Sequence, residues 1–521
     1  MTRRRPVWFC VLVAVVGGAT TLGACGGDNT GGPGSSPDGS APGIDAGQGV
    51  DATTADGSGD AAIHPDSTTP PDAGKPHDGS APHDADATVD ASVDANPDAN
   101  ADGSADATLD ANADAADASD AADTSAPFTI TPGDANVVST HAQRVGLGFL
   151  YGYSDGDFGA VTHDAGYTFF VSGHTQPDAG LCPGTPGTQG VYRIGTDPSS
   201  ITTNYGCTAL VVDSPGSVDG GLLGAFDRDY VGGGPVMRLP NPDGGAPAIV
   251  LVYHAEFHWG PLCGTENAPC FYGTLGMASS LDDGATFVKL GEIIQPSVSR
   301  PDWVAKNPTA SLPDGTGPFI VGDANHHPID PDTADPATSF LYVFYIDQNY
   351  ADAGVTCPSG GRQCLATARA SMSSVIAAAF AQDPTAGPSL FHKWHAGDFT
   401  QPGVSGDPND ALPSGAFTPV AGATYEESVL YDRTINQAIL AYRSPTGAIE
   451  IQTTSDLVSW PGTPIASVTE DVDGGLRYPS LIGETTNANA GATKPWLFYT
   501  AGNVWRYSMF ENRQLNVTLT P

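Results

Sequence analysis

The chain has 521 residues, with 20 Lys and Arg against 59 Asp and Glu, a formal charge of −39 and a pI near 4.2. So acidic a chain lacks the clustered cations that displace counterions from nucleic acid or hold an anionic lipid surface, and neither partner is expected. The charge is uneven: residues 26–127 hold 21 Asp, one Lys and no aromatic residue, which leaves −22 for residues 128–521.

Arg3, Arg4 and Arg5 precede an apolar run from Val7 to Val16. A permanent membrane span needs about 20 apolar residues, so this run reads as a secretory signal. Leu22-Gly23-Ala24-Cys25 resembles the lipobox of bacterial lipoproteins. The resemblance implies a signal peptide over 1–24, lipidation of Cys25 and an extracytoplasmic protein held to a membrane by lipid alone. Gly26 follows the Cys, which by the same resemblance points to the outer membrane or cell surface. Residues 25–127 then read as the lipidated Cys and a disordered tether. Their apolar content is nearly all Ala, so no core can offset the entropy of ordering them. Spaced Asp and Pro should extend the segment beyond a Gly/Ser coil. No Gly-Gly-x-Gly-x-Asp period marks it as a calcium repeat.

From Phe128 the pattern changes to short β-rich runs punctuated by Gly, Pro, Asp and Asn, with one predicted helix, Ser371–Gln382. Five apolar runs could each be a buried strand: Tyr167–Val171, Ala248–His254, Phe340–Ile346, Ala438–Tyr442 and Pro495–Tyr499. Each is followed by a second β-like run: Val191–Ile194, Thr274–Ser279, Cys364–Ala370, Ala448–Thr453 and Val504–Phe510. Paired recurrence predicts an all-β domain over 128–521 and a β-propeller of five blades, or six if 172–235 hides a further pair. Two jelly-roll or sandwich domains would supply the strands without explaining the pairing.

Three short signatures agree with radial repetition. Ser280-Leu281-Asp282-Asp283-Gly284-Ala285-Thr286-Phe287 resembles the sialidase Asp-box, and so does Thr162–Phe169 with Thr in the first place. In such a turn Asp accepts bonds from turn amides, Gly supplies positive φ and the aromatic packs between sheets, so the box is structural. Thr454-Ser455-Asp456-Leu457-Val458-Ser459-Trp460 is similar to a turn of five-bladed propeller glycosidases of the arabinanase and levanase type. The likeness covers architecture and superfamily, and it implies a carbohydrate ligand.

Of eight cysteines, Cys10 leaves with the signal and Cys25 takes the lipid. Export permits disulfides, and sequential pairing of Cys182/Cys207, Cys263/Cys270 and Cys357/Cys364 is the simplest arrangement. Spacing suited to zinc is absent, so no metal is expected. No cofactor is expected either, with structural calcium left open, and the protein is expected to be a monomer.

In a propeller the strand before each apolar run lines the axis. That places Tyr151–Asp157, Asp227–Leu239, Asp302–Ser311, Tyr425–Asp432 and Arg477–Leu481 at the hub, with Asp155, Asp157, Asp227, Asp229, Glu426 and Glu427 among them. Cleaving a glycosidic bond takes two carboxyl groups, one protonated and one ionised. The glycosidase resemblance implies a base at Asp155 or Asp157, a pKa-tuning Asp229 and an acid at Glu426 or Glu427. Substrate contacts are expected from His254, Glu256, His258 and Trp259, and from Arg477 and Tyr478. His326-His327 and Phe391-His392-Lys393-Trp394-His395 are further loop candidates, and Arg300, Arg443 and Arg477 a candidate arginine triad. The alternative is a propeller that binds glycan or protein without cleaving it.

Overall fold

The computed structural model describes residues 10–16, 19–25 and 127–520, the last without 147–155, 164–165, 175–188, 196–197, 200–208, 213, 215–224, 260–269, 309–310, 313–314, 349–356, 358–362, 407–413, 421–424, 473 and 503–508. Two compact units divide the chain at 109/110. In the first, Cys10–Val16 and Ala19–Cys25 pair as an antiparallel ribbon. The tether expected over 26–126 lies outside the described residues.

The second unit is a five-bladed β-propeller. Blade 1 is built from Gly159–His163, Gly166–His174, Gln189–Ile194 and Val211–Val212. Blade 2 starts with the split strand Tyr230–Gly232 and Val236–Leu239, then Ala248–His258, Phe271–Ser280 and Val288–Ile294. Blade 3 runs Phe319–Gly322, Phe340–Gln348, Gln363–Ser371, His392–His395 and Asp398–Pro402. Blade 4 comprises Tyr425–Asp432, Gln437–Arg443, Ile449–Thr454 and Ala466–Val468. Blade 5 has Leu476–Ile482, Trp496–Ala501 and Met509–Leu519, and its outer edge is completed by Phe128–Pro132 and Asn136–Thr140 from the start of the unit. The N-terminal strands thus close the ring and protect a sheet edge.

The second strand of every blade is buried on both faces, which is why these runs are continuously apolar. Along Ala248–His258, Ile249, Leu251, Tyr253 and Ala255 pack toward blade 1, whereas Ala248, Val250 and Val252 pack toward blade 3. This is the period-2 geometry of a strand seen from its two neighbours. Five hydrophobic clusters fill the five blade-to-blade interfaces.

All five apolar runs form second strands as expected. Other expectations need correction. Asp302–Ser311 is not an axial strand: Ser299 caps a helix over Arg300–Lys306, with Pro in its first turn, and the axial strand of blade 3 is Phe319–Gly322. Of the expected run Val504–Phe510, residues 509 and 510 lie in the strand Met509–Leu519, which pairs with the N-terminal strands, and 504–508 lie outside the described residues. The predicted helix forms as Met372–Ala381, capped by Ser371 and ended by Gln382 in the left-handed region.

The Asp-box of blade 2 behaves as its chemistry requires. Asp282 accepts Thr286 N at 2.9 Å and Thr286 Oγ1 at 2.6 Å, Ser280 Oγ accepts Gly284 N at 2.8 Å, and Phe287 packs edge-on against Phe170 of blade 1. The turn at Asp456 in blade 4 also joins third and fourth strands, burying Leu457 and Trp460. Thr162–Phe169 instead spans the first and second strands of blade 1, so it is a hairpin of another position. Cys357 is bonded to Cys364. Cys270 is disulfide-bonded; Cys182, Cys207 and Cys263 lie outside the described residues.

Candidate functional site at the propeller hub

Hydrogen bonds between axial segments link neighbouring blades at the hub. Gly234 N donates to Asp157 O at 3.1 Å, joining blades 1 and 2. Thr316 Oγ1 donates to Glu427 O at 2.8 Å, joining blades 3 and 4. Ser428 Oγ accepts Leu481 N at 2.9 Å, and Ser480 Oγ accepts Phe158 N at 3.0 Å, which link blade 4 to 5 and 5 to 1. Glycine makes the approach feasible. A Cβ at Gly315 would lie 2.3 Å from Glu427 Oε1, and one at Gly234 2.5 Å from Val252 O; both have positive φ.

Blades 4 and 5 carry matching bulges in their axial strands. Register shifts fall between Tyr425 and Ser428 and between Arg477 and Ser480. Glu426 and Tyr478 sit there with φ of 53° and 52°. An extra residue interrupts the regular alternation and re-aims the side chains on either side of it. Hence Glu426 and Glu427 part company. Glu427 goes to the hub, while Glu426 Oε2 accepts Tyr478 N at 2.8 Å and Oε1 lies 3.5 Å from Arg477 Nη1 and 3.9 Å from Arg443 Nη1.

At the centre stand Asp157 of blade 1, 1% exposed, and Glu427 of blade 4, fully buried. Burial pushes the Asp157 carboxyl well above the usual carboxylate range, and the nearby negative charge of Glu427 pushes it further. The Gly234 amide, the Thr316 hydroxyl and the charge of His254 pull weakly the other way. Burial and the Glu427 charge thus both favour the protonated form of Asp157.

On blade 2, the period-2 pattern puts His254, Glu256 and His258 on one face of their strand. Glu256 accepts His254 Nε2 on one oxygen at 3.0 Å and His258 Nε2 on the other at 2.5 Å. Burial alone would raise the Glu256 carboxyl, but these bonds and the imidazole charges outweigh it and hold it at about 2. Tyr230 and Phe271 meet the His254 ring edge-on. No cluster of three or more His, Cys, Asp or Glu suited to a metal occurs among the described residues.

A cavity of about 600 Å³ opens between blades 4 and 5, lined by Arg443, Thr446, Gly447, Glu470 and Gly475 among others.

Some sequence candidates occupy other posts. Asp155 lies outside the described residues. The Asp229 carboxylate is committed to Arg228 Nε at 2.9 Å and to His258 N at 2.6 Å. Asp227 is buried against Lys289 and Tyr253. Trp259 is buried with Phe257, Tyr272 and Trp303, so its ring offers no open stacking face. Arg300 lies over the Phe257 ring opposite a similar contact from Arg228, at 3.7 and 3.8 Å, and so does not join Arg443 and Arg477. His326 packs among Tyr342, Trp394 and Phe399, and His327 bonds Asp323 in a turn. Lys393 is buried against Asp347. Thr316 and the glycines at 233–234 and 315–317 were missed; their signal is Gly-rich sequence before apolar strands, which marks close backbone approach.

No protein-family model matches the chain, and no curated protein does. Among solved structures it is similar to the catalytic domain of a GH62 α-L-arabinofuranosidase of Coprinopsis cinerea, with 12% identity, 75% of this chain and 98% of that chain covered and a TM-score of 0.38. It is also similar to a glycosyl hydrolase of Bacteroides ovatus, with 10% identity, 74% and 93% covered and a TM-score of 0.37. A GH43_1 enzyme of Xanthomonas citri matches at 12% identity, 75% and 91% covered and a TM-score of 0.35.

Proposed function

We propose that the propeller is a glycoside hydrolase, or a related polysaccharide-active enzyme, working with the carboxyl pair Asp157 and Glu427. The observation that carries this reading is the pair itself. Two acids from remote stretches meet at the axis, and the surroundings of one favour its protonated form. In this reading Asp157 gives its proton to the leaving oxygen, and Glu427, ionised, acts on the opposite side as base or nucleophile. That reverses the roles the glycosidase resemblance implied, and it follows the direction in which burial and the Glu427 charge shift the Asp157 carboxyl. His254 and His258, fixed by Glu256, and Tyr230 furnish hydrogen bonds and ring faces to the sugar, and Arg477, Tyr478 and Glu426 stand on the opposite wall. Both hub carboxyls are buried, and this favours a second reading in which the funnel binds glycan without cutting it.

Incubating the full chain with a panel of polysaccharides, beside Asp157→Asn and Glu427→Gln, tests both. New reducing ends that vanish in both variants support the enzyme. Retained binding without any products supports the second reading, and neither binding nor products would sink both. The anchor is part of the same proposal: a monomer held outside the cytoplasm through lipid on Cys25. Cys25→Ala is expected to shift the protein from the membrane pellet to the soluble fraction; an unchanged pellet would remove the lipid anchor.

A further inference from the structure

Arg443 and Arg477 come from adjacent blades and converge on a single carboxylate, Glu426. Neither guanidinium is within hydrogen-bond distance of it, at 3.9 and 3.5 Å. Arg443 spends Nε on Leu476 O at 3.0 Å. The Arg477 guanidinium makes no hydrogen bond among the described residues, and its Nε is buried without a protein acceptor. Both side chains remain partly open, 23% and 31% exposed. A buried guanidinium donor left without a protein acceptor costs stability unless water or a ligand takes it up. The spot is also out of keeping with its surroundings: two fixed cations against one anion, in a domain whose net charge is −22. Of the acids beside the adjoining cavity, Glu470 is already engaged by Arg513 Nη2 at 2.6 Å and the Tyr499 hydroxyl at 2.8 Å. Asp471 sits exposed on the rim.

The geometry points to a subsite for a carboxylate carried by the glycan, a uronate unit, gripped by Arg443, which lines the cavity between blades 4 and 5, and by Arg477, which meets it at Glu426. Planar guanidinium forks match a carboxylate with paired, charge-assisted bonds, which a neutral sugar hydroxyl cannot reproduce. Glu426 has two parts in this. In the empty site it keeps the two cations in place, and its bond to Tyr478 N fixes the bulge from which Arg477 projects. Next to a bound carboxylate its charge sets a limit on affinity. The inference rests on the reading of the hub as a glycan site and narrows the class of glycan.

Titration calorimetry of the full chain separates the outcomes. The probes are polygalacturonate, alginate and glucuronoxylan, each beside its carboxyl-reduced counterpart. Binding of at least one acidic glycan is expected, weakened about tenfold or more by carboxyl reduction and by Arg477→Met or Arg443→Met. Glu426→Gln should strengthen it, whereas Lys494→Met, which removes an exposed cation from the opposite end of blade 5, should leave it unchanged. Equal affinity for the reduced polymers overturns the uronate subsite, and so does an equal loss in Lys494→Met. Binding or cleavage of neutral polysaccharides alone overturns it while leaving the hub reading intact. No binding of any glycan, acidic or neutral, removes both.

Discussion

Asp157→Asn is expected to lower turnover by about 10²–10⁴-fold, the usual worth of a positioned general acid, and at the same time to stabilise the fold at neutral pH. The two effects have one cause. Burial and the charge of Glu427 raise the Asp157 carboxyl above its ordinary 3.8. With the folded pKa above the unfolded one, the native state binds the proton more tightly. Stability then falls as pH rises from about 4 toward the folded pKa, and stays low above it. Asn carries no such proton and escapes the penalty. The variant should therefore resist urea better than the wild type at about pH 7.5, with the advantage shrinking toward about pH 4. Glu427→Gln should also abolish turnover and, by removing the neighbouring charge, shrink the pH-dependent penalty at Asp157. Asn at 157 proving less stable than Asp at both pH values would mean that a good partner satisfies the carboxylate. Asp157 would then lose its role as acid.

The architecture was legible because each blade repeats one physical demand. A strand buried on both faces must be apolar throughout, and five such runs stand out between polar turns. The Asp-box was legible for the same kind of reason, since Asp282 and Gly284 are what that turn requires. The site was legible only in part. Glu426 and Glu427 could be named as a pair, but strand alternation alone cannot say which faces the axis; the bulge decides it. Asp229 and Trp259 looked suitable for sugar, yet their fates depend on Arg228 and on a small core under the helix Arg300–Lys306, and that helix reads as polar strand in the sequence. Thr316 escaped notice because its hydroxyl matters only through a backbone oxygen 111 residues away.

A second large effect lies away from the hub. Lys393→Met is expected to destabilise the protein by about 3–5 kcal/mol, the usual cost of leaving one partner of a buried ion pair behind. Lys393 and Asp347 are both fully buried, with Nζ 3.4 Å from Asp347 Oδ2 and donating to Gln295 O and Ser414 Oγ, each at 2.6 Å. Asp347 in turn accepts Ser297 N at 3.1 Å and Ser297 Oγ at 3.2 Å. This one cation thus ties the segment Gln295–Ser297 to blade 3, immediately before the helix that carries Arg300. Arg300 packs on Phe257, the neighbour of His258, so loosening the segment should reach the blade 2 wall of the site. Methionine fills most of the space but leaves a carboxylate and a carbonyl without their cation. Adding Asp347→Asn removes the stranded charge while keeping an oxygen for the Ser297 amide, so the double variant should recover most of the loss. Urea midpoints of the wild type, both single variants and the double variant measure the coupling. Strictly additive losses would show that the pair acts as two separate polar contacts rather than as a single clamp.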